Sequence, residues 1–131
     1  MKKISIRLIK GAIVVNALLT GKDRKEKVGL ILDTGASKTV IGKDVVKRLG
    51  YKEFEAYRNL SITTARGVID TNSYKLASFE AMQLTRRNFE VAAHNLPLAF
   101  SMYGIDGLLG LDFIRNHVLT INLKDNFLLF D

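Results

Sequence analysis

The sequence predicts a mostly β domain, closed or partly closed into a barrel, with one or two short helices. Three observations lead there. Short apolar runs rich in Val, Ile and Leu recur along the chain, separated by glycine, asparagine or charged residues. Helical spacing of apolar residues is brief and does not alternate regularly with the strands, which argues against a helix-wound parallel sheet. With 131 residues, 47% of them hydrophobic, 25% charged and one proline, the chain suits a single packed domain over residues 1–131.

The elements follow in order. Ile4, Ile6 and Leu8 alternate with Ser5, Arg7 and Ile9 as a strand, and Gly11 separates it from a second, Ile13 to Leu19. Lys22 to Lys27 is a mixed-sign segment expected at a solvated hairpin tip. Val28 to Leu32 is a short continuous apolar run, read as a buried strand that feeds the loop starting at Asp33. Thr39 to Ile41 resumes extended structure, and Asp44 to Leu49 has helical spacing that stops at Gly50. Leu60 to Thr64 and Val68 to Thr71 form a hairpin with Ala65-Arg66-Gly67 near its tip. Strands are expected at Tyr74 to Leu84 and Asn88 to Ala93, a loop at Asn95 to Pro97, and a glycine-rich turn from Gly104 to Gly107. The remainder reads as strand (Leu108-Leu109), short helix (Leu111 to His117) and two strands (Val118 to Leu123, Phe127 to Phe130).

Composition removes several classes of function. Without cysteine there are no disulfides, thiolate metal sites or cysteine nucleophiles. His94 and His117 have no second ligand at zinc-like spacing, so no metal is expected, and no cofactor motif is present. No Gly-x-Ser-x-Gly elbow supports a serine nucleophile. The net charge of +7 raises a nucleic-acid reading, but much of the excess sits at Lys2-Lys3 and in the mixed-sign 22–27 segment; no nucleic-acid partner is expected. Arg7, Lys10 and Asn16 interrupt the apolar N-terminal stretch, which reads as strands and not as a signal segment, and no run is long enough for a membrane helix. A cytoplasmic location is the expectation.

The chemistry is concentrated in Leu32-Asp33-Thr34-Gly35-Ala36-Ser37. A carboxylate at the end of an apolar strand, followed by Thr-Gly, stands on a rigid support where glycine lets another backbone come close. Far along the chain lies Asp106-Gly107-Leu108-Leu109-Gly110-Leu111-Asp112-Phe113-Ile114. These two segments, in this order and with a hairpin between them, resemble the catalytic loop and the apolar-apolar-Gly segment of retropepsin-like aspartic proteases. The resemblance runs from about Val28 to Leu123.

That resemblance implies an acid-protease lobe in which Asp33 is catalytic and Thr34 and Gly35 support it. Ala36 and Ser37 would flank a substrate backbone, Leu108 would line a side-chain pocket, and Ala65, Arg66 and Gly67 would belong to a flap closing over an extended peptide. Asp112 reads as structural, bonding nearby backbone. Chemistry of this class needs two carboxylates, and the chain has one Asp-Thr-Gly. The second Asp33 would come from another copy across a two-fold axis, so the implied partners are a homodimer mate and a peptide or protein substrate. The alternative is a non-catalytic peptide-binding module on the same fold; a basic nucleic-acid binder is a weaker third.

Overall fold

The computed structural model of the chain describes residues 1–64 and 67–131. The first expected strand breaks at the buried Ile6 into β1 (Lys2–Ser5) and β2 (Arg7–Ile9), which join different sheets. β2 turns through Lys10 and Gly11, both at positive φ, into β3 (Ala12–Thr20). Two left-handed residues match the twist of a tight hairpin. β4 (Lys25–Leu32) starts inside the charged segment, pairing Thr20 with Lys25, so the tip is shorter than expected. Next come β5 (Val40–Gly42) and helix α1 (Lys43–Arg48), which buries Val45 and Val46 and ends before Gly50, where φ is +98°.

The hairpin of β6 (Arg58–Thr64) and β7 (Gly67–Ala81) follows, paired from Arg58 opposite Ser73 to Thr64 opposite Gly67. β7 is one long strand where two were expected. It turns at Met82-Gln83 into β8 (Leu84–His94), so the expected strand Tyr74 to Leu84 in fact runs into a turn. Both turn residues have positive φ although neither is glycine or asparagine, and the sequence carries no signal for the turn. A short helix α2 (Leu98–Met102), not foreseen, follows Pro97. β9 (Gly107–Leu109), α3 (Leu111–Ile114), β10 (Leu119–Asn122) and β11 (Phe127–Phe130) complete the order expected for the last third, with α3 shorter than the sequence implied.

One sheet has the order β2-β3-β4-β9-β5-β8-β7-β6, and a further pairing of β3 with β7 closes part of it into a ring. The other is β1-β11-β10. The main core fills the ring with Leu19, Leu30, Ile41, Leu76, Phe79, Val91, Leu109 and Phe113, and extends to Leu128 and Phe130 of the second sheet. Phe113 sits 5.3 Å from Phe79 and 5.7 Å from Phe89, ring centre to centre. Contacts of this kind contribute about 1 kcal/mol each beyond burial, and they fix α3 against β7 and β8. The fold is mostly β, with its larger sheet partly closed into a ring, as the sequence predicts. Among the described residues no helix is long and apolar enough to cross a membrane.

Candidate active site

Three neighbouring strands of the larger sheet meet at the site. β9 lies parallel to β4 on one side, with Leu32 opposite Leu109, and antiparallel to β5 on the other, with Val40 opposite Leu108. The segment joining β4 to β5 therefore loops around the end of β9. The close approach of β5 and the loop before it explains the second motif's glycines. A Cβ on Gly107 would stand 2.2 Å from the Val40 carbonyl oxygen, and one on Gly110 would stand 2.6 Å from the Lys38 backbone. Any side chain there would push the strands apart.

Asp33 is the first residue past β4, half-buried, and its N–H donates to the Leu109 carbonyl at 2.9 Å. The Gly35 N–H donates to Asp33 Oδ1 at 2.9 Å, and the Ala36 N–H to the Asp33 carbonyl at 3.1 Å. A Cβ on Gly35 would come within 3.2 Å of that same carboxylate oxygen. One oxygen is thus oriented by the loop, and Oδ2 has no hydrogen-bond partner among the described residues. Ala36 is buried and its carbonyl accepts from the Leu111 N–H at 2.9 Å; Thr34, Gly35 and Ser37 are exposed. A carboxylate held by one oxygen and open at the other can accept a proton or a hydrogen bond from a bound molecule.

A sequence profile described as "Aspartyl protease" matches residues 15–113, three quarters of the chain. The chain belongs to the aspartyl protease family. Among solved structures, it is similar to a retropepsin-like aspartic protease from Rickettsia conorii, with a TM-score of 0.68 at 17% identity, covering 98% of this chain and 89% of that one. Identity that low speaks for the fold. No curated protein sequence gives a significant match.

In this aspartyl protease family member the remaining predicted residues fall in two places. Leu108 pairs with Ile31 and packs, part-buried, with Val40, Ile62 and Ala92, together with Leu60, Ile69 and Leu96. Residues of the β6–β7 hairpin are thereby brought against β5 and β9, the neighbours of the Asp33 loop. Gly67 opens β7 at φ +114°, whereas Ala65 and Arg66 lie outside the described residues.

Thr39 was missed as a supporting residue. It is fully buried, its N–H and hydroxyl both donate to Asp112 Oδ1, at 2.9 and 2.8 Å, and its hydroxyl oxygen accepts from the Gly110 N–H at 3.1 Å. The structural role expected of Asp112 is borne out in this geometry. Glu90 was also missed, because its partners Lys38, Arg58 and Ser73 are scattered along the chain. The Arg58 guanidinium, then Lys38 and the Ser73 hydroxyl, hold the Glu90 carboxyl well below the usual carboxylate range against the opposing effect of burial.

Proposed function

We propose that residues 1–131 form one protease domain that acts as a homodimeric aspartic endopeptidase, with two Asp33 carboxylates, one per chain, meeting across a two-fold axis. The observation that carries this reading is the Asp33 carboxylate just past β4, with Oδ1 held by the Gly35 N–H and Oδ2 without a hydrogen-bond partner among the described residues. One such group per chain is half of the pair that aspartic proteases use in general. In the dimer one Asp33 is ionised and the other protonated. The ionised carboxylate takes a proton from water as its oxygen bonds to the scissile carbonyl carbon, while the protonated partner hydrogen-bonds the carbonyl oxygen. Collapse of the tetrahedral adduct breaks the C–N bond as a proton passes to the leaving nitrogen.

In this reading Thr34 and Gly35 keep the loop in shape, and Ala36 and Ser37 run beside the substrate backbone. Leu108 offers an apolar wall for a side chain, and Gly67, which opens β7, belongs to the flap over the peptide. The part-buried apolar residues Leu60, Ile69 and Leu96, packed in the same cluster as Leu108, favour extended substrates with aliphatic or aromatic side chains near the cut. No cofactor is needed.

The test is cleavage of a mixed peptide library between about pH 3 and 7, followed by mass spectrometry. Expected are cuts with a bell-shaped pH profile belonging to the pair, loss of cutting in Asp33→Asn, and loss of specific activity on dilution as dimers dissociate. Binding of peptides without cleavage at any pH would instead make the protein a peptide-binding module, and full activity of a demonstrated monomer would remove the shared site.

A further inference from the structure

A cluster of opposite charges joins the β6–β7 hairpin to the loop that carries Asp33. At its centre the Glu90 carboxylate is nine-tenths buried. It accepts from Arg58 Nε at 2.7 Å and a second Arg58 nitrogen at 2.8 Å, from Lys38 Nζ at 2.8 Å and from Ser73 Oγ at 2.6 Å. Arg58 and Ser73 face each other at the root of the hairpin, and Lys38 lies in the loop between Asp33 and β5. Lys38 Nζ is also 3.9 Å from Asp112 Oδ2, a buried oxygen with no hydrogen-bond partner among the described residues. Through Asp112 Oδ1 the chain of contacts continues to Thr39 and on to the Gly110 N–H. Two acids and two bases balance; Arg58 is more than half exposed, but Glu90 and Asp112 are enclosed, so removal of a base leaves carboxylate charge uncompensated in a poorly solvated place.

We propose that Glu90 is a positioning residue that couples the hairpin to the Asp33 loop, Arg58 reporting the hairpin's placement and Lys38 transmitting it to the loop. This deepens the protease reading and rests on it for its consequence in catalysis, but the coupling itself is measurable without any substrate. The geometry is specific: a bidentate guanidinium fixes direction as well as distance, and Glu90 Oε1 is shared between Arg58 and Lys38, so a shift of one base alters the site of the other.

The test uses the purified full chain and amide hydrogen exchange. Arg58→Met leaves Glu90 paired with Lys38 and Ser73, so the fold should survive. Expected is at least about fivefold faster exchange at the Gly35, Thr39 and Gly110 amides, with β3 and β4 amides unchanged. Arg48→Met, which removes the remote exposed pair with Glu26, serves as control and should leave those three amides at wild-type rates. In peptide cleavage, Arg58→Met and Lys38→Met should each raise KM for an extended peptide several-fold more than they lower kcat. Adding Arg58→Met to Glu90→Gln should raise KM no further than Glu90→Gln alone, because Arg58 acts through Glu90. Acceleration confined to β6 and β7, or spread evenly over β3 and β4, would overturn the coupling, as would additive effects of the two substitutions. Fast exchange at the three amides in a protein that cuts nothing would retain the coupling and reject the protease reading.

Discussion

Asp33 and Asp112 stand just past the ends of neighbouring parallel strands, β4 and β9, yet their surroundings differ. Asp112 is almost wholly enclosed and commits Oδ1 to two donors of Thr39, a residue distant in sequence. Asp33 is half-buried, and among the described residues its carboxylate is bonded only by the amide two residues ahead in its own loop. A carboxylate bonded across the fold serves the fold. One bonded within its own turn keeps its orientation and remains available to an outside molecule. Residue type and strand-end position are shared, so the difference arises from whether the partners are local or remote.

Substitutions should separate the two roles. The largest effect expected is that of Asp33→Asn on cleavage, a drop in kcat/KM of at least about 1000-fold, with the thermal midpoint essentially unmoved, measured by peptide turnover and calorimetry. Asp112→Ala should do the reverse. It orphans the buried N–H and hydroxyl of Thr39 and should cost about 3 kcal/mol in urea unfolding, while protein that remains folded still cuts. Equal loss of stability in both variants would erase the distinction.

Glu90 gives a smaller, pH-dependent effect. Its carboxyl is held low in the folded state, so its stabilising contribution is complete above the ordinary carboxylate range, and it fades as pH falls from about 5 towards the depressed folded value. Urea midpoints of wild type and Glu90→Gln should therefore converge as pH drops from about 6 to 3. The smallest effect, remote from both aspartates, is expected at the exposed Gln83. Held at φ +61°, it should gain about 1 kcal/mol on change to glycine, with cleavage unaltered.

Local chemistry was legible in the sequence, and remote pairing was not. The Lys10-Gly11 turn shows its glycine, and the Asp33 loop shows Thr-Gly, because in both the determining contacts lie within a few residues. The Met82-Gln83 turn is imposed on residues that do not prefer it, by the pairing of β7 with β8 from Asn72 to Ala81. Nothing near Ile6 marks the place where the chain passes from one sheet to another. That break arises because β1 pairs with β11, at the far end of the sequence. The glycines of the second motif could be noticed, but the reason for them, the Val40 and Lys38 backbones lying close against Gly107 and Gly110, exists only once β5 pairs with β9. Thr39 with Asp112, and Glu90 with Lys38 and Arg58, escape for the same cause.

The length of β7 has a mechanical consequence. From Ser78 to Ala81 the strand is gripped on both edges, by β3 and by β8, whereas from Gly67 to Thr71 its described ladder pairing is with β6. It is a cantilever, a beam built in at one end and projecting at the other, and the ions around Glu90 sit at its root. A force on the projecting end is delivered as a bending moment near Ser73, so the compliance of the whole arm is set at its base and not at its tip.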